Sequence, residues 1–485
     1  MGERYLTILE VSQKQAYIFS SNKLKDNVTN SAVIAWIMDP DYFEKAIADE
    51  GVFSKEKNLV YSGGGHTVLE FATREKAVTF TKSITTRIHK EYKDIEVFAT
   101  TMEYSEELKP GENLKKLTEQ LEKKKSLRVS AFHQGSFGIE KINTNTLKPM
   151  YKGEELEENR KKIMPEKEEK IDKVLSPDGY DSASKFSELG GSRNESNFIA
   201  VVHIDGNAMG KRVNDLYEKN ESADWETYKS KLFNFSQSVD DNFKDAYKKM
   251  TEIVKENIEK GNLKDLSIKD NKFPVRRIIT AGDDICFVTE GRIGLESAAA
   301  FIKELNKCKN EEDKEGYSAC AGVAIVHQKY PFYKAYELAE MLCSNAKKYG
   351  ASLSKDQSGK DVSAIDWHIE FGEIKDTLKE IRKSYCTEDG KQLEGRPYII
   401  SASKEIMEKE TLRQYEDFRK QLKKLQKEEE SCARGKMKEM REVLKQGETA
   451  VEYYLKFNKM EKLALDKTTL FDAVEMIDTY IELDY

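Results

Sequence analysis

The sequence predicts a mixed α/β (α+β) protein, with two ferredoxin-like units of order β-α-β-β-α-β followed by a C-terminal helical domain. Two observations carry this expectation. Strand-like apolar runs alternate with helical periodicity in the same order twice along the chain, and each time two of the runs flank a tight glycine-containing turn. Beyond about residue 401 the sequence is rich in Glu, Lys, Leu and Met, with almost no Gly or Pro.

In the first unit, Tyr5 to Val11 is a short apolar strand, and a helical stretch passes through Ala32, Val33, Ile34, Ala35, Trp36 and Ile37. Asn58 to Tyr61 leads into Ser62-Gly63-Gly64-Gly65, and His66 to Phe71 alternates as a half-buried strand does, so this segment reads as a β-hairpin. A helix over about 74–92 and a strand near 95–101 complete the unit. The next segment, through YKGEELEENRKKIMPEKEEKIDK and GGSRNES, is charged and then small and polar, the pattern of a solvated helix and linker.

The second unit begins with Phe198-Ile199-Ala200-Val201-Val202-His203-Ile204, a buried strand that ends in the carboxylate of Asp205. A helix over about 225–260 precedes two strands, 276–280 and 285–289, joined across Ala281-Gly282-Asp283-Asp284. A helix near 294–306, a strand over 320–327 and a helix over about 331–348 follow. Two copies of one topology suggest duplication. In the C-terminal region Tyr415, Phe418, Leu422 and Leu425 form an apolar helical stripe. The expected domains are 1–146, 147–196 as linker, 197–370 and 371–485.

Bulk properties narrow the function. A chain of 485 residues exceeds one core, so roughly two to four domains are expected. With 38% hydrophobic and 34% charged residues it has a soluble globular composition. Its net charge of -7 gives no general basic excess for free nucleic acid, although a local basic groove stays open. No signal peptide and no apolar run of about 18 residues is present, which points to the cytoplasm and away from membranes. The six cysteines include no C-x-x-C pair, so reduced thiols are expected, with no zinc ribbon or disulfide framework.

The chemistry concentrates in the second unit. In a ferredoxin-like sheet the first strand lies beside the hairpin, which brings Asp205 near Asp283 and Asp284. Gly282 lets the turn aim both carboxylates at one point. Three converging carboxylates repel one another unless a cation is present, and hard ions such as Mg²⁺ or Mn²⁺ suit oxygen ligands and bring substrate phosphates with them. Two such ions can activate an attacking hydroxyl and neutralise a leaving pyrophosphate. Asp is also common in ordinary turns, so Asp283-Asp284 gains its meaning from the strand-terminal Asp205. Lys347 and Lys348 sit at the end of the last helix, where the dipole favours a cation and a triphosphate could meet one. His203 shares a strand face with Asp205, either as a packed histidine or as support for the acids. The first unit offers Glu10 in place of an aspartate and no acid in its hairpin. It should hold no metal pair, while Gly63 and Gly64 leave backbone amides open to a phosphate or ribose.

These motifs, in order, resemble the large polymerase/cyclase subunit of type III CRISPR effector complexes, especially the Cmr-type form. Lys23-Leu24-Lys25-Asp26 with Asn30-Ser31 looks like the start of that family's first palm domain. Ile204-Asp205-Gly206-Asn207-Ala208-Met209-Gly210-Lys211 looks like its metal-binding strand-loop. Ala281-Gly282-Asp283-Asp284 stands where the family has Gly-Gly-Asp-Asp, and Ala321-Gly322-Val323-Ala324-Ile325 with Ala346-Lys347 resembles the closing strand and helix. The resemblance covers both palms and thins over the C-terminal helices.

It implies an enzyme that joins ATP into cyclic oligoadenylate, an antiviral second messenger. Asp205, Gly206, Asp283 and Asp284 would hold Mg²⁺ or Mn²⁺, with the three aspartates catalytic. Lys347 or Lys348 would contact the triphosphate, and Ser62, Gly63, Gly64 and Gly282 would help seat nucleotide. It further implies possible partners among CRISPR effector subunits and guide or target RNA. The sequence departs from the family's pattern at Ala281 and Asn207, lacks the inter-palm zinc cysteines, and starts its first palm almost at Met1, so HD-type DNA cleavage is not expected. A non-catalytic scaffold subunit, or a cyclase using GTP or another acceptor, is the alternative.

Overall fold

The computed structural model describes residues 3–92, 94–127, 139, 141, 164–189, 197–268, 270–372, 377–429, 434–460 and 467–485. Of the charged stretch expected to form the linker, residues 147–163 and 190–196 lie outside the described residues.

The first unit places β1 (Tyr5–Ser12), β2 (Leu59–Gly63), β3 (His66–Phe71) and β4 (Glu96–Glu103) in one sheet of order β2-β3-β1-β4. Every pairing is antiparallel. The second unit places β5 (Phe198–Gly206), β6 (Val275–Ala281), β7 (Asp284–Glu290) and β8 (Ala319–His327) in the corresponding order β8-β5-β7-β6. Both expected ferredoxin-like sheets are therefore formed.

The second sheet is larger than expected. β9 (Val362–Glu370) runs parallel to β8, and β10 (Tyr398–Ala402) pairs antiparallel with β9, giving six strands. β9 escaped a pattern reading because it is buried along its whole length although Asp366, His368 and Glu370 interrupt its apolar run. Those charges have partners: Asp366 accepts from Arg382 at 2.5 Å and from Asn345 at 2.7 Å. A period-2 rule assumes that polar residues face water, so it fails on a strand whose polar face is buried and ion-paired.

The helix Trp225–Glu259 explains much of the packing. Its N-cap Asp224 accepts from the Thr227 amide at 2.8 Å, satisfying a first-turn donor that would otherwise lack an acceptor. Tyr228, Leu232, Phe235, Val239, Phe243, Ala246, Met250 and Val254 recur at helical spacing and are buried in one core. Trp225 reaches the first unit, where its indole N–H donates to Glu70 at 2.6 Å and its ring meets Tyr104 edge-on.

Alternate residues of β5 divide between two cores. Ala200, Val202 and Ile204 face the long helix, whereas Ile199 and Val201 join a cluster with Val28, Phe43 and Phe80 of the first unit. Phe19 stacks on Tyr336 across the same boundary at 4.0 Å. The helix Glu166–Leu175 clasps both units: Lys167 bonds Asp39 and Asp41 at 2.7 Å, and Asp172 accepts from Arg276 at 2.6 Å and Arg277 at 3.2 Å. The apolar stripe of Tyr415, Phe418, Leu422 and Leu425 is buried against the second unit's core. Among the described residues no helix is long and apolar enough to cross a membrane.

The helix Phe332–Leu353 lies directly on β8, and Gly322 permits that approach. A Cβ there would stand 2.0 Å from the Ala339 carbonyl oxygen and 2.4 Å from the Cys343 amide nitrogen, both backbone atoms that cannot step aside. Gly322→Ala is therefore expected to destabilise the protein by about 2–3 kcal/mol through overpacking, read as a lower midpoint in urea unfolding.

Candidate functional site

Strand register brings the acids together. Asp205, at the end of β5, lies opposite Asp284, the first residue of β7. The Gly206 amide donates to the Asp283 carbonyl at 3.2 Å, fastening the strand end to the turn. Gly206 has no room for a side chain, because a Cβ would lie 2.8 Å from the Asp283 Cβ and 3.0 Å from the ring of Phe243. Gly282 takes a φ of 64°, the left-handed region that glycine supplies without strain, and this closes the two-residue turn.

The electrostatics follow from this convergence. Burial first, and then the charge of Asp205, raise the carboxyls of Asp283 and Asp284 to about 7. Lys347 answers part of that charge. Its ammonium donates to Asp205 Oδ2 at 2.6 Å and to the Gly206 carbonyl at 2.8 Å. Burial opposes its charge, yet Asp205 holds the ammonium above the ordinary lysine range. Lys348, one residue on, is exposed, so the structure separates two lysines that the sequence treats alike. The helix continues to Leu353, which puts both of them inside it rather than at its dipolar end.

His203 is 6% exposed, and its Nδ1 stands 3.5 Å from Asp284 Oδ1. Among the described residues neither atom has a hydrogen-bond partner. Burial lowers the imidazole's pKa, which favours a neutral ring beside the acids. Among the described residues, no three His, Cys, Asp or Glu side chains already enclose a metal-sized position. Even so, the donor set fits a hard divalent cation. Three aspartates converge, one buried carboxylate oxygen has no hydrogen-bond partner among the described residues, and a cation, the Lys347 ammonium, already stands on the Asp205 oxygen.

The first unit's hairpin faces this site. A Cβ on Gly282 would come within 4.0 Å of the Gly64 amide nitrogen, so the two turns meet tip to tip. Gly63 pairs with His66 as Ala281 pairs with Asp284, and Glu10 lies opposite His66 as Asp205 lies opposite Asp284. His66 thus occupies the position of Asp284. Glu10 pairs with Lys125 at 3.0 Å in the way that Asp205 pairs with Lys347. The Ser62 hydroxyl is engaged within the scaffold, with the Met38 carbonyl at 3.1 Å and the Thr67 hydroxyl at 2.9 Å.

Three further residues belong to the site and were not singled out from sequence. Lys14 follows β1, donates to the Gly64 carbonyl, and its charge opposes the rise of Asp284. Asp240, midway along the long helix, accepts from the Gly282 amide at 3.2 Å. Glu340 acts on Asp284 through its charge and accepts from Gln15 of the first unit at 3.3 Å. The spacing of seven between Glu340 and Lys347 puts them on one helical face and was a usable signal. Lys14 and Asp240 carry no local signal, since only the meeting of the two units gives them a role.

Fold and site together define a paired-palm protein in which the second palm carries the acids. The comparisons with known proteins agree. Residues 198–358 match the family model described as Cas10/Cmr2, second palm domain. Solved structures resemble the whole chain. The apo Csm1-Csm4 cassette has a TM-score of 0.55 at 14% identity and covers 98% of this chain and 70% of that one. Csm1 of T. onnurineus gives 0.54 at 14%, covering 99% and 70%, and the cassette in complex with AMPPNP gives 0.53 at 14%, also covering 99% and 70%. At this identity the likeness is one of fold. No curated protein matches the sequence. The family match is confined to the second palm, and the solved structures extend the likeness in fold over the rest of the chain.

A pH dependence follows from the raised carboxyls. Because the folded state raises Asp284 from 3.8 to about 7, ionising it costs stability as pH rises through that window, and the cost is fully present above it. In the presence of EDTA, Asp284→Asn should gain stability relative to the parent between pH 5 and pH 8, with no further gain above, in urea unfolding at each pH. A difference that does not vary with pH would contradict the assigned environment.

Proposed function

We propose that this protein is a metal-dependent nucleotidyl transferase that joins ATP, 3′ to 5′, into a cyclic oligoadenylate in type III CRISPR-like antiviral defence. The observation that carries the reading is the convergence of Asp205, Asp283, Asp284 and Lys347 at the hairpin of a second palm that faces the glycine hairpin of the first. Structures of similar fold have been solved in complex with AMPPNP, pppApA and cA4, which supports ATP as substrate and a cyclic product.

In this reading Asp205, Asp283 and Asp284, with the Gly206 carbonyl, would hold Mg²⁺ or Mn²⁺. When bound, such ions make a ribose hydroxyl a better nucleophile and neutralise a leaving pyrophosphate. Lys347 gives the triphosphate a mobile point charge. Gly63 and Gly64 seat a second nucleotide through their backbone, and Gly282, with no side chain, leaves the meeting of the two turns uncrowded. His203 and Asp240 position the acids and the turn without touching substrate. The first palm lacks two of the three acids, so it orients a nucleotide without activating one. Association with a further effector subunit is part of the proposal, supported by the Csm1-Csm4 assemblies of similar fold.

The test is incubation of the purified protein with radiolabelled ATP or GTP and Mg²⁺ or Mn²⁺, with products resolved by chromatography. Oligoadenylate that needs the metal, and that falls at least about 100-fold in Asp283→Ala with Asp284→Ala, is the expected outcome. Product from GTP alone would redirect the substrate assignment. Full activity in a folded double variant would remove the metal site, and a protein that binds no ATP with either ion would be a scaffold.

A further inference from the structure

We infer that Lys347 is a resident counter-ion of the acid cluster: its ammonium occupies the Asp205 and Gly206 oxygens in the ion-free protein, and an entering divalent ion must displace it. This rests on the metal-binding reading of the site and adds to it a competition inside the protein itself. Ion entry and release of Lys347 toward an anionic substrate then become one event.

Geometry is the first support. The two oxygens that the ammonium bonds, at 2.6 and 2.8 Å, are ones a hard cation would take, and a cation at bonding distance from Asp205 cannot share its oxygen with an ammonium at small cost. Charge is the second. Of the three aspartates the ammonium bonds Asp205 alone, and among the described residues the buried Asp284 Oδ1 and His203 Nδ1 have no hydrogen-bond partner, so Lys347 offsets the cluster only in part. The third support is the comparison within the chain. In the first palm Glu10 pairs with Lys125 at 3.0 Å, and Lys125 also meets the exposed Glu122 at 2.8 Å, but the turn beside Glu10 is glycine and adds no acid to the pair. Only in the second palm does the pair stand beside uncompensated acids. Lys347 is 31% exposed at the end of a flexible side chain, and its ammonium can leave without the helix moving.

The experiment is Mn²⁺ titration of the full-length, nucleotide-free protein followed by electron paramagnetic resonance, with thermal unfolding of the same samples. Lys347→Met should bind Mn²⁺ about tenfold more tightly than the parent, because a like charge beside the ion is gone. Lys347→Arg should stay near the parent value, and Lys125→Met should not change it. Mn²⁺ should also raise the unfolding temperature of Lys347→Met more than that of the parent, since the ion replaces the missing cation. Should Lys347→Met fail to fold, Lys347→Gln serves the same comparison. Unchanged or weaker Mn²⁺ binding in the lysine variant, with tight binding by the parent that Asp283→Asn abolishes, would overturn the inference and leave the metal site standing. Parent binding that is insensitive to Asp283→Asn and Asp205→Asn would remove the metal site, and the inference with it.

Discussion

The mutual repulsion of Asp205, Asp283 and Asp284 is the constraint around which the second palm is organised. Antiparallel pairing of β5 with β7 sets Asp205 opposite Asp284, and the turn adds Asp283. Nothing in the strands relieves the resulting charge. Relief comes from outside the sheet: Lys347 from the helix packed on it and Lys14 from the first palm. A cluster of this kind is unstable by itself and becomes favourable when a divalent ion and its phosphate ligands arrive, and that is the condition under which a transfer site should assemble.

The second palm cannot be understood alone. One face of β5 packs into a core shared with the first unit, the helix Glu166–Leu175 is ion-paired to both, and the two hairpins meet at Gly64 and Gly282. This burial fixes the two turns against each other through apolar contact over a wide area. A nucleotide seated there would touch backbone from one unit and carboxylates from the other.

The two units preserve the same topology and the same acid–lysine pairing while differing at the turn. That difference is small in sequence and large in charge. Glycines and His66 on one side replace the two acids on the other, which in the proposed reading leaves one palm to orient a nucleotide and the other to hold an ion. Duplication followed by loss of the turn acids is a simple route to a paired site with one chemical centre.

The sequence by itself determined both ferredoxin-like sheets, their strand order and the approach of Asp205 to Asp283 and Asp284, because hydrophobic periodicity and a tight turn are local signals that register then fixes. The distinction between Lys347 and Lys348, the roles of Lys14, Asp240 and Glu340, and the strands β9 and β10 were decided by tertiary structure. Adjacent lysines differ only in which side of a helix meets the sheet. Lys14 acts on Asp284 only because two units pack together, and β9 hides its identity by burying charges whose partners, such as Arg382, lie on other elements. Each of these depends on contacts between residues far apart in the chain, and local pattern carries no trace of such contacts.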